Sequence, residues 1–111
     1  MQVTGSVISR QAGGNLILNH PFAQTGGALF AITADWCGHC VTLKSDVLKA
    51  QKIKPFKFFF FDGGKDDFKT KAKINEIGVS GFPSLFKVHK GGLLTPYNGP
   101  RNPMALAATF F

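Results

Sequence analysis

The chain has 111 residues, 44% of them hydrophobic, only two cysteines and a formal net charge of +7. That length makes one domain, residues 1–111, with enough chain to bury a core without staples or metals, and its apolar content excludes a disordered chain. No apolar run approaches the roughly 20 residues that cross a bilayer, so no membrane span is expected.

Residues 1–27 are the least readable part. VTGSVI suggests a strand and NLILN a second short apolar element, with AGG and TGG between the pieces. MQVTGSVISRQ lacks the basic start and long apolar segment of a signal peptide, and ALAATFF at the other end is not an ER-retention signal. An intracellular protein is the simplest expectation; ER-type chemistry stays compatible with a leader removed before Met1. Such a chain fits a small stand-alone protein, for example one of viral origin.

ALFAIT (28–33) is an apolar run without helical spacing, as in a strand buried on both faces of a central parallel sheet. It leads directly into ADWCGHC. From Gly38 to about Gln51 the period becomes helical, with Val41, Leu43, Val47, Leu48 and Ala50 apolar and Lys44, Asp46 and Lys49 between them. The first cysteine therefore sits at a strand-to-helix junction. FKFFFF (56–61), bounded by Pro55 and Asp62-Gly63-Gly64, reads as a second central strand. It is aggregation-prone if exposed, and Lys54, Lys57 and Lys65 read as its gatekeepers. DDFKTKAKINEI (66–77) reads as a helix with acids in its first turn, and Gly78 as its C-cap. SLFKVH (84–89) and LLTPY (93–97), parted by Gly91-Gly92, read as a hairpin. Pro103 starts a last helix that ends in Phe110-Phe111. Strand, helix, strand, helix, hairpin, helix makes an α/β domain with a mixed sheet of four or five strands and helices on both faces.

The charge is uneven. Nine of the thirteen Lys and Arg residues lie between Lys44 and Lys73, against four acids there. Solvated helix faces and turns account for this pattern. Attraction to acidic partners or nucleic acid is the sharper alternative, but without an aromatic-interleaved RNA motif or zinc finger no specific nucleic-acid site is expected.

Cys37 and Cys40 carry the chemistry. As a staple the pair is weak, because it closes almost no loop; the loop-entropy relation gives about 2 kcal/mol before strain. On a helix, β-carbons three apart are about 5–6 Å from one another, whereas a relaxed disulfide holds them at roughly 3.5–4.5 Å. A structural zinc site wants four ligands, usually as two close pairs. There is no second cysteine pair, and His20 and His89 are isolated, so no metal is expected. A dithiol–disulfide pair that cycles remains the leading reading, since CxxC beside a βαβ pattern is a redox signature. Inert thiols on a binding module are the alternative.

Trp36-Cys37-Gly38-His39-Cys40, then Gly81-Phe82-Pro83-Ser84, then Gly91-Gly92, then Tyr97-Asn98-Gly99-Pro100-Arg101 follow one another in an order and spacing that resemble the thioredoxin superfamily. Within it, the chain looks like a catalytic domain of protein disulfide isomerase over about residues 28–111. The resemblance implies a thioredoxin fold. It implies that Cys37, activated at the helix N-terminus, attacks disulfides and that Cys40 releases the product. His39, where thioredoxins usually carry proline, would stabilise the Cys37 thiolate and make the pair more oxidising. Arg101 would approach Cys40 during reoxidation. Trp36, Gly38, Phe82 and Pro83 would form the substrate surface, with Pro83 cis and Phe82 offering its backbone to an extended substrate. No cofactor is implied beyond the Cys37–Cys40 disulfide. The implied partners are proteins bearing thiols or disulfides and a recycling partner such as glutathione or a reductase.

Two departures from the family pattern stand out. Ala31 occupies the usual place of a buried acid, and its lysine partner falls at about Phe58, as expected when a costly buried pair is lost together. Proton transfer at Cys40 then needs water, His39 or another route, and slower turnover is expected. Ser45 replaces a helix-kinking proline, so a straighter first helix is expected. The leading function is a thiol–disulfide oxidoreductase of the isomerase or oxidase type. A thioredoxin-like reductase, or a binding module with the same fold and little turnover, are the alternatives.

Overall fold

The computed structural model describes residues 1–110. In chain order the strands are β1 (Ile8–Arg10), β2 (Leu16–Leu18), β3 (Ala28–Thr33), β4 (Phe58–Asp62), β5 (Ser84–Val88) and β6 (Leu93–Pro96). The helices are α1 (Gly38–Ile53), α2 (Phe68–Ile77) and α3 (Pro103–Thr109). They make one mixed sheet in the order β1-β2-β6-β5-β3-β4. Only β3 and β4 run parallel, joined through α1; every other neighbouring pair is antiparallel.

All residues of β3 are buried, as its unbroken apolar run predicts. Alternate residues serve two cores. Ala28, Phe30 and Ile32 point into one with Phe59, Phe61, Phe86 and Ile77 of α2. Leu29 and Ala31 point into the other with Leu43 and Val47 of α1 and Leu106 and Ala107 of α3. Helices thus cover both faces. α1 is continuous from Gly38 to Ile53, two residues beyond the apolar pattern. Asp67 caps α2 by accepting from the Thr70 amide at 2.8 Å, and Gly78 closes it in the left-handed region at φ 81°. Asn102 caps α3 ahead of Pro103 by accepting from the Ala105 amide at 2.9 Å. Phe110 follows as the C-cap and stacks near Phe56 and Tyr97; Phe111, assigned to the same helix from sequence, lies outside the described residues.

The sheet departs from the sequence reading in two places. It has six strands instead of four or five, because the unreadable N-terminal part supplies β1 and β2. Each is three residues long, too short for alternation to show, and VTGSVI passes through a 3-10 turn at Gly5–Val7 before β1. β4 is also not a central strand but the last in the sheet. Its outer edge is covered by residues 1–3: the Met1 amino group donates to Phe58 O at 2.6 Å, Phe60 N donates to Met1 O at 3.0 Å, and Val3 N donates to Phe60 O at 2.9 Å. A phenylalanine-rich edge left open would template aggregation; here the chain's own start pairs with it.

The N-terminal hairpin is tied to α2 by Arg10. Its guanidinium donates to Glu76 O at 3.0 Å and Ile77 O at 2.7 Å, at the helix end where carbonyls lack partners, and to Gly14 O at 2.6 Å within the hairpin. Arg10→Ala is expected to lower the unfolding free energy by about 1–2 kcal/mol, the worth of charge-assisted bonds to backbone. Arg10→Lys should recover only part of that, since one ammonium cannot present the same fork. Urea denaturation midpoints of the three proteins check this.

Candidate active site

β3 ends at Thr33, and the next residues turn the chain into α1 with Cys37 as its N-cap. The turn is held by the Cys37 amide donating to Ala34 O at 3.1 Å, and α1 starts with the Cys40 and Val41 amides donating to Cys37 O at 3.1 and 3.2 Å. Both cysteines are free thiols, Cys37 half-buried and Cys40 buried at 1% exposure.

Their environments push the two thiols apart. A hydrogen bond from Cys40 lowers Cys37, and the amides of Cys40 and His39 add to it against some desolvation, though neither amide closes a full capping bond. Burial pushes Cys40 up to about 11, and the hydrogen bond it gives Cys37 and the charge of Cys37 push the same way. Opposing these, the Ala34 amide donates to Cys40 Sγ at 3.4 Å, and the Lys44 ammonium favours the Cys40 thiolate. The arrangement sets a half-buried thiol with a lowered pKa beside a buried one with a raised pKa.

The Phe82-Pro83 peptide is cis, and Cys37 Sγ lies 3.7 Å from Phe82 O, to which the protonated thiol donates. Trp36 is 70% exposed and meets Phe82 edge-on at 5.7 Å. Its indole N–H donates to Gly64 O at 3.0 Å. Trp36, Gly64 and Phe82, the first adjoining Cys37 in the chain and the last in contact with it, line an open groove of about 500 Å³ with Lys65, Lys71 and Ile74. Gly38 is exposed at the first turn of α1.

His39 and Arg101 are placed differently. Both are exposed, and neither side chain makes a hydrogen bond or ion pair among the described residues. What His39 gives Cys37 here is its amide, not its imidazole. The cation felt by Cys40 is Lys44, one helical turn along, not Arg101.

Three contributors escaped sequence reasoning. Asp62, buried at the end of β4, accepts from the Gly64 amide at 3.1 Å and so shapes the loop beneath Trp36. Gly64 is there for want of space: a β-carbon on it would lie 2.4 Å from Ala34 Cβ and 2.7 Å from Trp36 Nε1. The signal available for both was an Asp-Gly-Gly run directly after a strand, which marked a turn but not what it touches. Lys44 was visible as the residue four after Cys40, on the same helix face. Thr33, at the end of β3 on the face toward α1, is also buried, and its hydroxyl has no partner among the described residues. Among those residues no three His, Cys, Asp or Glu side chains group as metal ligands, and no helix is long and apolar enough to cross a membrane.

The thioredoxin family model matches residues 19–110. The chain is 40% identical over 81 residues to a probable protein disulfide-isomerase ER-60 of Schistosoma mansoni, covering 72% of this chain and 17% of that protein. It is 36% identical over 86 residues to protein disulfide isomerase-like 2-2 of Oryza sativa subsp. japonica, covering 76% and 23%. Over 104 residues, 91% of this chain, it is 29% identical to protein disulfide-isomerase A2 of Homo sapiens, of which that match spans 19%. This chain therefore corresponds to less than a quarter of the length of each of these relatives. Among solved structures, mitochondrial thioredoxin 3 of Saccharomyces cerevisiae in its oxidised form superposes with a TM-score of 0.58 at 22% identity, covering 80% of this chain and 81% of that one. The J-Trx1 fragment of ERdj5 does so with 0.58 at 24%, covering 73% and 39%. At these identities the structures speak for the fold.

Two outcomes are expected from this geometry. Iodoacetamide at neutral pH should alkylate Cys37 and spare Cys40, whose modification should require strongly alkaline pH or unfolding; peptide mapping after a pH series checks this. Gly64→Ala should displace the Trp36 indole, shifting and weakening its fluorescence relative to the parent while leaving the far-UV circular dichroism unchanged.

Proposed function

The chain belongs to the thioredoxin family, and on that footing we propose that it is a thiol–disulfide oxidoreductase of the protein disulfide isomerase or oxidase type. The observation that carries this reading is the placement of the thiols: Cys37 is half-buried at the N-cap of α1, 3.7 Å from Phe82 O beside cis-Pro83, and Cys40 is buried one turn in, with the Cys37 pKa lowered and the Cys40 pKa raised accordingly. In the oxidising direction, a substrate thiolate attacks Cys37 of the Cys37–Cys40 disulfide and Cys40 leaves. A second substrate thiolate then displaces Cys37, so the substrate gains a disulfide and the protein is left as the dithiol. For reshuffling, the Cys37 thiolate attacks a substrate disulfide, and another substrate thiolate then attacks the substrate sulfur of the mixed disulfide, so that a new substrate disulfide forms and Cys37 leaves as a thiolate; where Cys40 attacks Cys37 instead, the substrate leaves reduced and the Cys37–Cys40 disulfide forms.

Stabilising the reduced form makes such a pair a stronger oxidant. The helix-end donors on Cys37 work in that direction, and the Cys-Gly-His-Cys sequence and the names of the relatives support the same subtype. The open groove beside Cys37, with Trp36 and Phe82 as apolar walls, suits extended segments of many sequences, because a backbone partner such as Phe82 reads no side chain. Protein thiols and disulfides are the substrates in this reading, with glutathione or a reductase as recycling partner. Exposed and uncommitted among the described residues, Arg101 can swing to Cys40 as the disulfide re-forms.

A second reading has one observation behind it. The His39 imidazole stands clear of Cys37, so the feature that distinguishes the motif from a reductase's acts here without contact. Equilibration across glutathione redox buffers, with the thiols trapped by alkylation, separates the two. A midpoint near −180 mV is expected for the oxidase or isomerase, against about −270 mV or below for a thioredoxin-like reductase. The lower value would overturn the proposed subtype.

A further inference from the structure

The face of the sheet that α1 covers is apolar at Leu29, Ala31, Phe58 and Phe60. Ala31 pairs in register with Phe60, and Phe60 stacks on Phe58 at 5.5 Å. No carboxylate of β3 enters this layer. The ammonium of Lys44 lies over the Phe60 ring, 4.3 Å from its centroid. Lys44 is half-buried and follows Cys40 by four residues on α1, so the two side chains leave the helix on one face. A cation over an aromatic face is attracted by the ring quadrupole. The ring thus holds the long side chain in against the sheet.

We propose that Lys44 is a positioning residue for the second half of the reaction: seated on Phe60, it supplies the counter-charge for the Cys40 thiolate where β3 carries no acid and the nearby Asp62 carboxylate is turned to the Gly64 amide. This rests on Cys40 being the thiol that completes the exchange. In the mixed disulfide, Cys40 gives its proton to water and its thiolate attacks Cys37 Sγ. The Cys37–Cys40 bond forms, the bond from Cys37 to the substrate sulfur breaks, and the substrate leaves as a thiolate that takes a proton from water. The two protein sulfurs are oxidised together and the substrate disulfide is reduced, so no further reagent is needed. Lys44 stays protonated throughout and acts only through its field.

The charged and titratable groups around Cys40 are few. Cys37 faces it from the start of α1 and Lys44 from the next turn. β4 offers Asp62 two residues beyond Phe60, turned to the Gly64 amide; β3 offers Leu29, Ala31 and Thr33 on this face, none of them charged. The loop that carries Arg101 leaves its guanidinium exposed. Among the described residues, removing Lys44 therefore removes the one cation that acts on Cys40.

The test uses the full chain with Cys37→Ser, so that Cys40 is the only thiol, and reads its iodoacetamide alkylation rate from neutral pH to pH 11. Lys44→Met keeps the aliphatic stem and should move the profile up by about half a pH unit, a threefold loss of thiolate at a given pH; the shift is smaller than that of a close ion pair because the groups are a turn apart. Lys44→Arg should restore most of it. In the chain with both cysteines, Lys44→Met should also slow release of a peptide from its Cys37 mixed disulfide about threefold, following the thiolate fraction. Superimposable profiles for Lys44 and Lys44→Met overturn the proposal. So does an equal displacement by Lys44→Arg, which would make the effect one of packing. The potential measured for the subtype is independent of this profile, so either idea can fail while the other stands.

Discussion

The active site depends on the burial of β3 on both faces. A strand enclosed by helices on each side has solvent only beyond its ends, so the chain emerging from Thr33 must begin its function there. The parallel pairing with β4 demands a crossover, and α1 provides it. Its N-terminus therefore lies at the same end of the sheet as the C-terminus of β3. The N-cap position falls on Cys37, where unpartnered helix amides favour a negative sulfur. The loops after β4 and before β5 come to the same end and contribute Gly64 and Phe82. Position in the sheet, rather than any contact special to the cysteines, assembles these groups.

Within that frame the chemistry comes from a difference of environment over three residues. Cys37 keeps one side to the groove and receives donors; Cys40, one turn in, is enclosed and gives its own proton toward Cys37. Two thiols with separated titrations can take successive roles, since the first must be a thiolate to attack and the second must wait. The apolar layer below Cys40, formed by Ala31 with Phe60 and Phe58, makes that waiting state easy and the second deprotonation costly. A buried acid paired with a buried lysine is costly to desolvate, and packed hydrophobes such as Ala31, Phe58 and Phe60 are often no less stable. Lys44, approaching from the helix over the ring of Phe60, places the remaining charge where its stem stays packed and its head stays hydrated.

The same economy of edges shapes the rest of the fold. The FKFFFF run was legible as a strand because of its composition, but not as an edge, since nothing local distinguishes a central strand from a last one. What closes it is residues 1–3, more than fifty positions earlier in the chain, using backbone bonds that any residue could make. β1 and β2 were hidden for a related reason. With Leu16 and Leu18 buried and Ile17 partly so, β2 shows too little alternation to read, and its existence depends on pairing with β6. Arg10, an unremarkable cation in the sequence, becomes a cap for α2 once the hairpin is laid beside that helix.

By itself the sequence determined the local grammar: the doubly buried run at 28–33, the helical period after Gly38, the C-cap at Gly78, the helix start at Pro103, the hairpin around Gly91-Gly92, and the pair Cys37 and Cys40 at a helix start. Those are set by neighbours a few residues apart, through steric preference, periodicity and unpaired helix amides. Tertiary structure alone decided which strand lies at the edge, what covers it, that Gly64 seats Trp36, and that the cation beside Cys40 is Lys44 while Arg101 and the His39 imidazole stand in solvent. These depend on distances between segments far apart in the chain, and burial and Coulomb energy are set by such distances, not by order along the chain.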